Sequence, residues 1–392
     1  MLSFQIYCKV IDNLGDAGVA WRLARELAGA HRLAVSLFID QPETLASIVP
    51  GARAGLTLQG VSIAGWEGAN APTEAGTIIV SAFGCELPKK TRSALAARPD
   101  ILWINLEYLS AENWVDECHG LASRKPADDA IEYFFFPGFS QASGGLLRER
   151  DLLAQRDKFL ADRSSRTWLA TQGISPPAGE RLISLFCYAD APVQEWLALL
   201  AESPLPTRVL VADGIASEAI RGFCGTSLRA GQRIERGALS VQCHALLAQP
   251  QFDHLLWSCE LNFVRGEDSW VRAIWAGRPF IWQPYRQPDG AHQAKLQAFL
   301  ARLCEPAGLA PAGPAQSQAG TSANGRAARS VAAMMRAWSG EEDLRHSWQA
   351  YEANLAQIAR LHRGLTDAQC TQADLCSRLL DFCRDHLAAR PG

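Results

Sequence analysis

The chain has 392 residues, 48% of them apolar, with 38 basic and 41 acidic side chains and a formal net charge of −3. That length suits two domains, and the composition excludes a disordered chain. The basic residues are scattered among acids, so no basic block points to nucleic acid, and no apolar run is long enough to span a bilayer.

The opening MLSFQIYCKVIDNLGD reaches an acid within a dozen residues and reads as the first strand of a domain, not a signal peptide. The strand is expected over Phe4 to Ile11, followed by a helix over Val19 to Ala30 with Val19, Leu23 and Leu27 on one face. Strands follow at Leu33 to Ile39, Thr77 to Ala82 and Ile101 to Leu106, with a last one in Phe134 to Phe139. This alternation predicts a parallel sheet covered by helices. A charged, helix-like stretch from Leu147 to Ala170 leads to a break at Ser175-Pro176-Pro177. The rhythm restarts with a strand at Arg181 to Cys187, a helix at Val193 to Ala201 and a strand at Arg208 to Ala212. Two doubly wound domains facing across a cleft are expected, with ligands beyond the carboxyl ends of the strands. Pro306 to Arg326, rich in Ala, Gly, Pro, Ser and Gln, reads as a loop or linker. The remainder is expected to be helical, with Trp338, Trp348, Tyr351, Leu355 and Leu361 available for packing. The eleven cysteines are odd in number, irregular in spacing and without a C-x-x-C. Buried free thiols in a reducing compartment explain them best, so a cytoplasmic protein is expected.

The most informative segment is Phe252 to Tyr285, FDHLLWSCELNFVRGEDSWVRAIWAGRPFIWQPY. An apolar run at Leu261 to Val264 stops at Arg265-Gly266-Glu267-Asp268-Ser269. A helix then carries Trp270, Ile274 and Trp275 on one side and ends at Gly277, and a second apolar run covers Pro279 to Trp282. Free N–H groups at that helix start, with the helix dipole behind them, suit a phosphate or diphosphate. An ordinary capped helix has the same sequence pattern. Arg265 and the Asp268 and Ser269 amides would cradle the anion; Glu267 would oppose it, and so faces a sugar hydroxyl or stiffens the loop. Phe186, Tyr188 and Phe252 could sandwich a nucleobase, although rings at such positions are more often plain core.

Lys9 to Gly18, KVIDNLGDAG, lies where a dinucleotide fingerprint would belong, but its spacing is wrong and two acids intrude. The loop therefore faces something neutral or cationic, and a bend into the helix could bring Asp12 and Asp16 near one point. Taken singly, each Asp is more often a capping residue. Metal binding has little support, with no D-x-D or H-x-x-x-H; His244, His254 and His292 stand in unrelated contexts, and Asp128-Asp129 reads as a solvated turn.

KVIDNLGDAGVAWRLAREL and FDHLLWSCELNFVRGEDSWVRAIWAGRPFIW together resemble the elongation factor P arginine rhamnosyltransferase family, EarP, and the likeness spans essentially the full chain. The resemblance implies a GT-B fold of two facing Rossmann-like domains: an acceptor-binding domain over 1–160 and a nucleotide-sugar-binding domain over 178–362. A C-terminal helix at about 365–392 is a candidate to pack back on the first. It further implies an inverting, metal-independent transfer, without cofactor, from dTDP-β-L-rhamnose to one arginine of elongation factor P. By position, Asp12, Asp16 and Glu267 match the family's catalytic carboxylates, with Asp16 as base. Asn13, Gly15, Phe186, Tyr188, Gln249, Phe252, Arg265, Glu267, Asp268, Ser269 and Tyr285 match its donor-binding residues. Two other readings stay open: a GT-B enzyme acting on a small-molecule or glycan acceptor, and a nucleotide-sugar-binding protein without catalysis.

Overall fold

The computed structural model describes residues 2–12, 14–66, 76–98, 100–125, 130–308 and 322–389. Asn13, the Asp128-Asp129 pair and most of the Ala/Gly/Pro-rich segment lie outside them. The chain divides into two compact units, Met1–Leu152 with Thr371–Gly392, and Leu153–Cys370.

The first unit carries strands β1 (Ser3–Cys8), β2 (Ala34–Ile39), β3 (Thr57–Leu58), β4 (Val61–Gly65), β5 (Thr77–Ala82), β6 (Leu102–Leu106), β7 (Ala122–Arg124) and β8 (Ile131–Phe135). They form one sheet in the order β3-β4-β2-β1-β5-β6-β8-β7. β3 and β7 are antiparallel to their neighbours, and the other pairings are parallel. β5 and β6 are buried along their whole length, as parallel strands covered on both faces must be. The strand order reverses between β1 and β5, so the crevice of this sheet opens where β1 ends.

Helix Leu14–Gly29 lays Val19, Leu23 and Leu27 on Phe4, Ile6 and Cys8 of β1. Leu375, Leu379, Leu380 and Cys383 of the terminal helix Leu375–Ala388 enter the same core. Each such aliphatic side chain contributes about 1.5–3 kcal/mol on burial, more than helix propensity could. Asp374 caps this helix by accepting the Ser377 N–H at 3.0 Å.

The second unit carries β9 (Arg181–Leu185), β10 (Thr207–Ala212), β11 (Arg233–Arg236), β12 (Leu239–His244), β13 (Leu261–Arg265) and β14 (Phe280–Gln283), in the order β11-β12-β10-β9-β13-β14. Only the β11–β12 pairing is antiparallel among the pairings described. Here the order reverses at β9, between β10 and β13. Behind β13, Trp196 packs on Phe263 with ring centroids 4.5 Å apart and meets Trp338 edge-on at 5.6 Å. Trp270 stacks on Trp282 of β14 at 3.8 Å.

Helix Asp268–Ala276, between β13 and β14, is buried from Ser269 to Ala276. A helix apolar on all sides suits such a place, yet Arg272 lies in it. Its guanidinium makes a bidentate pair with Asp253 of helix Gln249–Ser258, Nε to Oδ1 at 2.7 Å and the second nitrogen to Oδ2 at 2.8 Å. Removing one partner strands a buried charge, which costs about 3–5 kcal/mol. Asp253→Ala is therefore expected to lower unfolding stability by about that amount. Urea unfolding followed by tryptophan fluorescence measures it, and a midpoint unchanged from the parent would contradict this role.

Several sequence expectations need correction. β1 stops at Cys8, not Ile11, because the Val10 and Ile11 amides bond carboxylates instead of a neighbouring strand. The following helix starts at Leu14, five residues before Val19, which puts Asp16 in its first turn. Leu147 to Ala170 holds two helices, Leu152–Ala161 and Ser165–Thr171, interrupted where Arg163 takes φ 53°. The strand sought in Phe134 to Phe139 ends at Phe135. β3, β4, β7, β11 and β12 were not anticipated.

Candidate active site

In the first unit the candidate residues sit on the turn from β1 into helix Leu14–Gly29. Asp16 is only 2% exposed. Its Oδ2 accepts the Ile11 N–H at 2.7 Å and the Asp12 N–H at 2.8 Å. The carboxylate thus ties the loop ahead of the helix and is not the helix's N-cap. Tyr108, beyond β6, bonds the same carboxylate through its hydroxyl and is stacked on Phe83 at 4.5 Å. Burial pushes the Asp16 carboxyl above the usual aspartate range; the Ile11 and Asp12 amides and Tyr108 pull it down less, and the Asp40 charge adds to the rise. A raised carboxyl is a better proton acceptor, and a carboxylate has about four acceptor sites, so these three bonds leave room for a proton.

Asp12 is half-buried, and its carbonyl accepts the Gly15 N–H at 2.8 Å. A Cβ built at Gly15 would lie 3.0 Å from Asp12 Oδ2. Glycine there leaves room for that carboxylate over the first turn, where the helix dipole favours it; a larger residue would make it shift. Asp40 accepts the Val10 N–H at 2.9 Å. The Val10, Ile11 and Asp12 amides are thus all bonded to carboxylates, so a pyrophosphate would meet acids here and no available amide in that run. Ile11 is exposed at the loop tip.

In the second unit, Phe186 and Tyr188 follow β9, Arg265 ends β13 and Tyr285 follows β14. The Arg265 guanidinium carbon lies 4.5 Å from the centre of the Phe186 ring and 4.6 Å from that of Tyr188. One of its nitrogens donates to the Cys187 carbonyl at 3.1 Å. Phe252 meets Phe186 edge-on at 5.8 Å, and Tyr285 meets Tyr188 edge-on at 5.6 Å. Phe186 and Tyr188 thus both lie against the Arg265 guanidinium. Burial pushes the Cys187 thiol up to about 12, which keeps it an inert neutral group beside these rings.

Gly266 turns the chain with φ 58°, and Glu267 occupies the N-cap position without a side-chain capping bond. The Glu267 carbonyl accepts the Val271 N–H at 3.0 Å. Ser269 accepts the Arg265 N–H at 3.1 Å and donates its hydroxyl proton to the Arg265 carbonyl, closing the turn on itself. Asp268 opens the helix's first turn. Gln249, 4% exposed, begins helix Gln249–Ser258 one turn before Phe252. Phe252, Phe186, Arg265, Tyr188 and Tyr285 therefore form one connected constellation at the switch point of their sheet. Asp12, Asp16 and Gly15 form another at theirs.

Tyr108 and Asp40 were missed by sequence reasoning. Asp40 and Tyr108 come just after strands, which was their only signal. Among the described residues no group of three or more His, Cys, Asp or Glu is placed to hold a metal ion, and no helix is long and apolar enough to cross a membrane.

Residues 4–384 match the family model described as Elongation-Factor P (EF-P) rhamnosyltransferase EarP. A protein-arginine rhamnosyltransferase of Pseudomonas aeruginosa is 42% identical over 99% of this chain and 100% of its own. Another from Pseudomonas putida is 40% identical over 98% and 99%. A solved structure reported as "Structural basis for EarP-mediated arginine glycosylation of translation elongation factor EF-P" aligns over 98% of this chain and 99% of its own, with TM-score 0.69 and 31% identity. The fold class is α/β of GT-B type, with a Rossmann-like sheet in each unit. With two sheets that each present a polar constellation at the switch point, and with likeness along nearly the whole chain, this glycosyltransferase belongs to the EF-P rhamnosyltransferase family EarP.

Proposed function

We propose that the chain transfers rhamnose from dTDP-β-L-rhamnose to an arginine side chain of elongation factor P, with inversion at the sugar's C1. The observation that carries this reading is the division of charge. One sheet's switch point presents carboxylates, and the other's presents a clamped arginine and a helix N-terminus.

An arginine acceptor is a cation with pKa above about 12 whose nitrogen lone pairs are delocalised. To make it a nucleophile, a protein must hold the guanidinium, orient one nitrogen and accept a proton as that nitrogen bonds C1. Asp12 holds the cation, and Asp16, made more basic by burial, takes the proton. The bond from C1 to the diphosphate oxygen breaks with its electron pair leaving on dTDP. Arg265 and the Asp268 and Ser269 amides neutralise that charge, so no metal or cofactor is invoked. Phe186, Tyr188, Gln249, Phe252 and Tyr285 border the nucleotide. Asn13 and Gly15 are assigned to the donor by their match to the family, and Glu267 faces the sugar. The eleven unbridged cysteines support a cytoplasmic setting, the compartment of translation.

Incubating purified elongation factor P with the enzyme and dTDP-β-L-rhamnose should add the mass of one deoxyhexosyl residue to an arginine peptide. Unmodified factor, with donor consumed only when a small-molecule or glycan acceptor is supplied, would overturn the protein-acceptor reading. Unmodified factor with bound but unconsumed donor would leave a nucleotide-sugar-binding protein.

A further inference from the structure

Gln283 is the last residue of β14, in register with Arg265 of β13, and only 3% exposed. Its backbone and its amide are both engaged. The backbone carbonyl accepts the Gly266 N–H at 3.2 Å. The side-chain Oε1 accepts the Tyr188 N–H at 2.9 Å, and Nε2 donates to Asp190 Oδ1 at 2.9 Å. Asp190 is further paired with Arg286 at 3.3 Å. One residue thus joins the turn after β13 to the loop after β9, and Arg265 lies against the ring that this loop carries.

We propose that Gln283 is a positioning residue for the donor: it sets the spacing of the Tyr188 loop from the Gly266 turn and so fixes the Arg265 guanidinium. The inference rests on the donor-site reading above. The amide accepts the Tyr188 N–H through its oxygen and donates to the Asp190 carboxylate through its nitrogen. A glutamate of the same size keeps the first bond, loses the second and sets a negative charge against Asp190. An aliphatic residue leaves both the Tyr188 N–H and the Asp190 oxygen without this partner.

The test compares the parent, Gln283→Glu and the double variant Gln283→Glu with Asp190→Asn. It measures KM for dTDP-β-L-rhamnose and kcat on elongation factor P. The single variant is expected to raise the donor KM by about tenfold or more while kcat at saturating donor stays within about threefold, since the loss is of ground-state positioning. In the double variant the new amide at position 190 donates to the new carboxylate at position 283, and most of the lost affinity returns. A purely structural role would lower the folded fraction without moving KM. A parent-like KM in the single variant, or a double variant no better than the single, would overturn the proposal. Should the single variant not fold, the double variant decides: parent-like donor KM supports the pairing, and a KM raised tenfold overturns it. A parent that does not use dTDP-β-L-rhamnose would instead remove the donor reading, and this inference with it.

Discussion

Asp16→Asn is expected to lower transfer by about 10²–10⁴-fold, the usual worth of a positioned general base, while leaving donor affinity unchanged. The variant isolates proton acceptance because the two backbone amides need only one oxygen of this group. Oδ2 alone accepts both the Ile11 and Asp12 amides, and a carboxamide oxygen can take over both bonds. The sign of the pH dependence follows from burial. The folded state raises the Asp16 carboxyl, so its protonated form is favoured on folding. Its contribution to stability is fully present below the unfolded aspartate range and is lost as pH rises through the raised value. At neutral pH, Asp16→Asn should therefore melt at or above the parent's Tm. Catalysis has the opposite dependence: transfer needs the ionised form, so the acid limb of kcat should lie above the usual aspartate range and vanish in the variant. A parent-like rate for Asp16→Asn, or a Tm well below the parent's, would contradict this account.

Arg265→Ala is the second large effect expected, and it falls on the donor. Charge-assisted hydrogen bonds are worth about 1.5–3 kcal/mol, or roughly 10–100-fold in Kd. Arg265→Lys should recover little of it. The guanidinium is held by lying flat between Phe186 and Tyr188 while one nitrogen bonds the Cys187 carbonyl. A lysine ammonium is a compact point charge that cannot stack on both rings and still present nitrogens to an anion. Donor titration of the two variants checks this; a lysine variant binding like the parent would show that charge alone matters.

The β13–helix–β14 segment was legible because each of its signals is local. Two apolar runs bracket a helical pattern, and Gly277, with φ 65°, terminates the helix where the sequence placed its end. The position of the two acids was legible as well, since a phosphate-binding turn does not carry them. The start of the first helix was not. Gly15, Asp16 and Gly18 are poor helix formers; the turn is held by the bonds Asp16 accepts from the Ile11 and Asp12 amides and by the packing of Val19, Leu23 and Leu27 in the core. In β12, Ser240, Gln242 and His244 alternate with apolar residues, the pattern of a half-exposed strand, yet all are buried, and that burial was not legible. Gln242 is satisfied there by Arg208 and by the Gly173 carbonyl, partners far away in sequence. Gln283 was hidden for the same reason: a glutamine at the end of an apolar run reads as the strand reaching solvent. Its two partners, Tyr188 and Asp190, lie about a hundred residues earlier.

Calorimetric titration of dTDP-β-L-rhamnose into the parent, Asp16→Asn and Arg265→Ala tests the division of labour most directly. The account predicts parent-like donor affinity for Asp16→Asn, together with lost transfer, and donor affinity reduced by about 10–100-fold for Arg265→Ala. Equal loss of donor affinity in both variants, or parent-like binding by Arg265→Ala, would contradict it.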